Sequence, residues 1–332
     1  MQIELSSKKT SPENEDNNID KFTSNKKKFV PKKSSFEWRP VPTIRSTTLC
    51  FFIFGTIFIA IGGILLYLSQ QIKEFVIRYD NLNDCDLTNK NFTTHVCNIS
   101  ISIEETFEPP IMVYYQLENF YQDHRRYIKS KSLPQLRGEN LIIADIQSDC
   151  DPIVTVKDLG FYKTIGNYSL APTDVANPCG LIAKSLFNDT FRLFDITDKE
   201  YFIDENNIAW DSDKKGRFKK HANATSVQWT DVENEHFMVW MRPAGLPDFR
   251  KLWGRIKFQV APGKYNLLIY NNFPVYSFQG KKSFVLSTVN MLGGKNNFLG
   301  IAYLIVGFIC WIMALLFYVG YHHYNSEKKK IN

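Results

Sequence analysis

The side chains able to do chemistry are scattered along this sequence. Four His lie in its long central part, His95, His124, His221 and His236, and none falls in H-E-x-x-H. The sequence holds no G-x-S-x-G, P-loop or dinucleotide-binding glycine pattern. "SDCD" (148–151) and "DSDK" (211–214) cluster carboxylates. Such clusters serve glycoside hydrolysis or calcium binding, and also turns and solvated surface. "HRRY" (124–127) offers paired Arg to an anion, or an ion-paired helix face. Cys85, Cys97, Cys150 and Cys179 have neither C-x-x-C spacing nor a matched His pair, which argues against zinc and for disulfides. Of the three possible pairings, sequence neighbours close the shortest loops, so Cys85–Cys97 and Cys150–Cys179 are expected. No catalytic residue, metal ligand or cofactor site is assigned.

The block "NEHFMVWMRPAGLPDFRKLWGRI" (234–256) is unusually rich in Trp, Arg and Phe, residue types that carry binding hot spots. It reads as a strand over Phe237–Met241, a Pro-flanked turn, and an amphipathic helix over 246–256. Trp240 is then expected in the core, with Arg242, Arg250 and Trp253 at a contact surface or supporting one.

Two apolar runs position this material. Leu49–Leu68 and Phe298–Tyr321 contain no charged residue, and each is long enough to cross a bilayer as a helix. The first lies behind a polar tail and reads as a signal anchor. Between Lys26 and Arg45 stand seven bases and one acid, which keeps that flank in the cytosol. Two spans return the C-terminus to the same side. The expected organisation is a cytosolic tail (1–48, with 1–35 disordered and 36–48 juxtamembrane), spans at 49–68 and 298–321, a lumenal or extracellular domain at 69–297, and a cytosolic tail at 322–332. The N-terminal tail has ten bases against six acids and the C-terminal tail three against one, so the central domain is neutral despite a net charge of +6. That balance offers nucleic acid no basic face. The basic tails suit anionic cytosolic lipid, or simply fix topology.

Five glycosylation sequons, at Asn91, Asn98, Asn167, Asn188 and Asn223, all fall between the spans. The Asn-rich tails contain none. The disulfides fit the same oxidising compartment. "IMVYYQL" (111–117), "YNLLIYNNF" (265–273) and "SFVLSTV" (283–289) read as strands, and "FPVYSFQGKKSF" as two strands joined at Gly280. "ENFYQDHRRYIKS" (118–130) reads as a helix. The fold class is therefore a membrane protein with two transmembrane helices and a mainly-β, antiparallel sandwich-like, disulfide-bonded ectodomain carrying inserted helices.

Small residues recur seven apart in the spans: Gly55 and Gly62, then Gly300, Gly307 and Ala314. They reflect the ordinary abundance of Gly in membrane helices or form a docking face for another protein's helices. Neither span carries Asp, Glu, Lys, Arg or His, and two helices cannot enclose a solute path, so this chain is no transporter alone. Phe36 and Trp38 in "FEWRPVPT" sit at the lipid interface or in a partner's grip.

The blocks "YYQLENFYQDHRRYIKS" (114–130), "PCGLIAKSLFNDTF" (178–191), "IAWDSDKKGRF" (208–218), "FMVWMRPAGLPDFRKLWGRI" (237–256) and "NFPVYSFQGKKSFVLSTVNMLGGKNNFLGIAYL" (272–304) resemble, in order, those of the cell division control protein 50 / ligand-effect modulator 3 family. The resemblance runs from about Phe36 to the end of the second span. It departs at Asp123 and Lys184, where the family usually has Asn, and at Met291, where it usually has Trp. The resemblance implies a non-catalytic β subunit of a type IV P-type ATPase, a flippase moving phospholipid to the cytosolic leaflet. Such subunits assist the catalytic subunit's folding, export from the endoplasmic reticulum and activity. It implies residence in the endoplasmic reticulum, Golgi, endosomal or plasma membrane, with membrane lipids and the catalytic α subunit as partners. A stand-alone membrane-anchored adhesion or receptor module would show the same sequons, disulfides and strands. Lys329 and Lys330 also resemble a dilysine retrieval signal, or else serve topology alone.

Overall fold

Twenty uncharged residues in a row bury their backbone polarity by closing into a helix, and the chain does so twice. A computed structural model describes residues 43–82, 85, 96–290 and 293–331. Phe36, Trp38, Asn91 and Met291 lie outside the described residues. The first span forms a 27-residue helix, Ile44–Gln70, whose Thr43 cap accepts the Ser46 N–H. The second forms a 35-residue helix, Asn297–Ile331, so the chain stays helical past Tyr321. At 1.5 Å per residue these are about 40 and 52 Å long. Large apolar side chains cover their outer faces, including Phe52, Phe54, Ile64, Ile305, Phe308 and Leu315, all exposed. A water-facing helix would not tolerate this, and the chain is an integral membrane protein.

Among the described residues between the spans are nine strands: β1 (Glu74–Arg78), β2 (Val96–Ile103), β3 (Ile111–Glu118), β4 (Thr190–Asp195), β5 (Glu200–Tyr201), β6 (Ile203–Asp204), β7 (Phe249–Ile256), β8 (Gly263–Tyr270) and β9 (Lys281–Thr288). They form two antiparallel sheets, ordered β1-β9-β3-β7-β6 and β2-β8-β4-β5. Along β2 and β3 every second residue is buried, as a strand with one face on a core requires. The core is aromatic. Tyr115 stacks on Phe187 at 3.9 Å, and Phe191 meets the edge of Trp253 at 5.3 Å. Short helices are inserted between strands, and Cys85–Cys97 and Cys150–Cys179 are bonded. This is the expected fold class.

The membrane end of the sandwich follows from register. Strand β1 begins four residues after the first helix ends, and Ile111 pairs with both Thr288 and Ile256. The end of β9, the start of β3 and the end of β7 therefore lie close to the bilayer.

Several local expectations fail. Phe237–Met241 is not a strand: Glu235–Trp240 is a helix, capped by the Asn234 side chain on the His236 N–H. Its buried Phe237, Met238, Trp240 and Met241 follow the i, i+1, i+3, i+4 pattern of a helix face. The expected helix over 246–256 is instead the strand β7. There Phe249, Lys251 and Trp253 point inward, and a bulge opposite Val113/Tyr114 shifts the alternation so that Gly254 and Ile256 are also buried. Of 118–130 only Arg125–Lys129 is helical. Before Gly280 the chain makes a 3₁₀ turn, Tyr276–Phe278, rather than a strand.

Candidate partner-binding surfaces

The small residues of the two spans face each other. A Cβ on Gly62 would come within 2.9 Å of the Gly300 carbonyl, and one on Gly307 within 3.0 Å of the Gly55 carbonyl. The expected docking face for a foreign helix is thus occupied, at Gly300 and Gly307, by this chain's own first span. Their missing side chains let the backbones touch. The hairpin is tied at both ends. Arg45 Nε donates to the Tyr321 hydroxyl at 2.8 Å, and the Ser69 hydroxyl to Asn297 Oδ1 at 2.7 Å. Ala314, also buried, lies instead at the floor of an apolar groove of about 850 Å³ on the hairpin's flank, lined by Leu49, Phe52, Phe308 and Trp311.

Gly62→Leu is expected to force the helices apart, at a cost of about 1 to 3 kcal/mol typical of overpacking. Gly63→Leu is the control, since a Cβ there meets nothing within 4 Å. Melting of the purified protein should drop for the first variant and hold for the second.

In the ectodomain the 234–256 block divides between core and surface. Trp240 is fully buried, and its indole N–H donates to the Ile182 carbonyl at 2.8 Å. Trp253 does not form a contact surface: it is 3% exposed and stacks on His236 at 3.9 Å. Arg242 is held at the surface. Its Nε donates to the buried Asp213 at 2.5 Å and its guanidinium lies 5.0 Å over the exposed Trp210 ring. Asp213 of "DSDK" is thereby an anchor for Arg242. Asp149 and Asp151 of "SDCD" are exposed, and among the described residues no three His, Cys, Asp or Glu gather to hold a metal. Arg125 and Arg126 of "HRRY" are exposed on their short helix.

Arg250 lies on the outward face of the five-stranded sheet. It donates to Gln116 at 2.7 Å and pairs with Glu74 across that face. Met112, Tyr114, Leu252 and Arg255 are half-buried around it. Burial raises the pKa of Tyr114, opposed by Arg250 and Arg255 beside it. No sequon falls on these strands. The four-stranded sheet differs: Asn98 on β2 and Asn188, two residues before β4, are exposed, as are Asn167 and Asn223 in the loops.

Two buried lysines were invisible in the sequence. Lys251 points inward from β7 and its Nζ donates to the carbonyls of Val239, Trp240 and Arg242 at 3.1, 3.0 and 2.5 Å. It thus closes the C-terminal end of the Glu235–Trp240 helix, an end whose carbonyls favour a cation. Burial nevertheless pulls its pKa down to about 7. The unfolded lysine takes its proton below about 10.4. Between those values the unfolded chain binds the extra proton, so stability falls as pH drops toward 7 and levels off below it. Lys251→Met should flatten that part of a plot of melting temperature against pH.

Lys282, the inward neighbour of Phe284 on β9, is 1% exposed. Its Nζ lies 2.7 Å from Asp189 Oδ2 and also donates to Asn271 and to the Phe273 carbonyl. Asp189 further accepts the Tyr79 hydroxyl at 2.7 Å and the N–H groups of Asn272 and Phe273 at 2.6 Å each. Burial lowers the Lys282 pKa, partly offset by Asp189, and raises that of Tyr79. Perturbed buried charges often mark active sites. Here both oxygens of Asp189 and the Lys282 Nζ are engaged by hydrogen bonds and buried, so the network is structural. Asp189 is the middle residue of the Asn188 sequon, a position that gives no sign of its burial. Lys329 and Lys330 are exposed on the last turns of the second helix.

Comparison with known proteins matches residues 65–328 to the LEM3 (ligand-effect modulator 3) family / CDC50 family. ALA-interacting subunit 3 of Arabidopsis thaliana is 39% identical, over 88% of this chain and 86% of that protein. Cell cycle control protein 50A of Bos taurus is 34% identical over 87% of each. Phospholipid-transporting ATPase accessory subunit CRF1 of Saccharomyces cerevisiae is 31% identical, over 85% of this chain and 81% of that protein.

Proposed function

The chain belongs to the LEM3/CDC50 family, and we propose that it is the non-catalytic accessory subunit of a phospholipid-transporting ATPase. The observation that carries this is the match along nearly the whole chain to a protein named as such an accessory subunit. The spans agree with it. They close on each other through Gly55, Gly62, Gly300 and Gly307 with no Asp, Glu, Lys, Arg or His in either apolar run, leaving the lipid path to a partner. The catalytic subunit expressed without this chain should stay in the endoplasmic reticulum. Co-expression should restore its export and its ATP-driven movement of fluorescent phospholipid, and restored transport without this chain would refute the reading.

Three features serve that role. Both termini lie in the cytosol, with the ectodomain in the lumen or outside, glycosylated on the four-stranded side; enzymatic deglycosylation should shift gel mobility by several glycans. The sequon-free face around Tyr114, Arg250 and Arg255 meets the partner's lumenal loops, having the Tyr, Arg and Met composition of an interface. The groove over Ala314 and the segment around Phe36 and Trp38 meet its membrane and cytosolic parts. Phe36→Ala with Trp38→Ala should lower recovery of the complex and leave membrane insertion intact. Equal recovery would remove that segment from the interface.

A further inference from the structure

A second cleft, of about 460 Å³, opens where the sandwich meets the spans. Gln70, Gln71, Lys73, Glu104, Glu105 and Lys295 line its polar part, over an apolar floor that includes Ile72, Ile103 and Phe107. That volume is within the range of small-molecule sites. Its depth in the bilayer is fixed by the chain. Gln70 is the last residue of the first helix, and Lys295 stands two before the start of the second. The Ser69 hydroxyl joins the two helix ends, donating to Asn297 and accepting the Asn296 N–H at 3.0 Å. The cleft therefore opens at the headgroup layer on the ectodomain's side.

Its charge is mixed. Lys73 lies 3.5 Å from Glu105 and donates to the Thr106 carbonyl at 3.0 Å, while Glu104 and Lys295 are exposed with no hydrogen-bond or ion-pair partner among the described residues. A phosphate alone would meet two lysines and three carboxylates, of which Glu74 is already paired with Arg250. A ligand carrying both a phosphate and an ammonium satisfies each sign. Exposed apolar surface on the spans directly below can take acyl chains, as Tyr67 and Phe298 are both exposed there.

We infer that this cleft holds the headgroup of a zwitterionic phospholipid, phosphate toward Lys73 and Lys295 and ammonium toward Glu104 and Glu105. The inference rests on the chain spanning a membrane and not on the identity of its partner, so the two can fail separately.

The test uses the full chain, purified with whatever it assembles with and placed in nanodiscs. A phosphatidylcholine with a photoreactive diazirine in its headgroup should label peptides covering residues 70–75 and 102–107. Glu104→Ala with Lys295→Ala should cut that labelling at least fivefold, while an acyl-chain probe labels the spans as before. A headgroup probe of phosphatidylglycerol, which lacks the ammonium, should label the cleft several-fold less. Labelling indifferent to the variant or to the headgroup overturns the proposal. So does finding these peptides cross-linked to a partner protein's loop, which would make the cleft a protein interface.

Discussion

Lys282→Met is expected to unfold the ectodomain or leave it barely stable. The change strands Asp189, fully buried, without the only cationic partner it has among the described residues. Breaking a buried pair from one side costs about 3 to 5 kcal/mol, a large share of the 5 to 15 kcal/mol by which domains are typically stable. The chain should be held in the endoplasmic reticulum with immature glycans. The adjacent Lys281→Met gives the contrast, because Lys281 pairs with Glu118 at 3.0 Å in a half-exposed site, where a pair contributes about 1 kcal/mol or less. Adding Asp189→Asn to Lys282→Met should recover part of the loss, since the amide oxygen can still accept the N–H groups of Asn272 and Phe273. If Lys282→Met melts with the wild type, the charge pair does not hold β4, β8 and β9 together.

Cys150→Ser with Cys179→Ser is the second large effect. These cysteines are spaced 29 residues apart and lie in a small satellite core with Ile146, Ile153, Val154, Leu159 and Ala176. So few apolar side chains cannot order a loop of that length alone. Closing it by a disulfide is worth about 3 to 4 kcal/mol on loop-entropy grounds. The double variant should lose protection from proteolysis first within 141–180, while the aromatic core around Trp253 stays protected. Uniform loss across the ectodomain would show that the satellite is no separate unit.

What was legible in the sequence had a one-dimensional signature. The spans showed by length, and β3, β8 and β9 by β-branched and aromatic runs. The disulfides followed from nearest-neighbour spacing. What failed depended on which side of an element faced what. Phe237–Met241 is apolar enough for either period, and the deciding feature was the Asn234 cap. In 249–256 the inward Lys251 and the bulge near Trp253 broke the alternation that would have marked a strand. The seven-residue Gly spacing identified a face but not its occupant. The matching spacing of Gly55 and Gly62 was the available sign that the chain packs on itself. The cleft of Lys73, Glu104 and Lys295 exists only once β1, β2 and the second span converge.

This chain is expected to assemble with a phospholipid-transporting ATPase. Affinity purification of the tagged full chain in mild detergent measures that assembly directly. A large P-type ATPase should be recovered at about one copy per copy of this chain, and ATP-driven phospholipid transport should be lost when the chain is depleted. Recovery of the glycosylated chain alone, under detergent conditions that keep other membrane complexes intact, would contradict it.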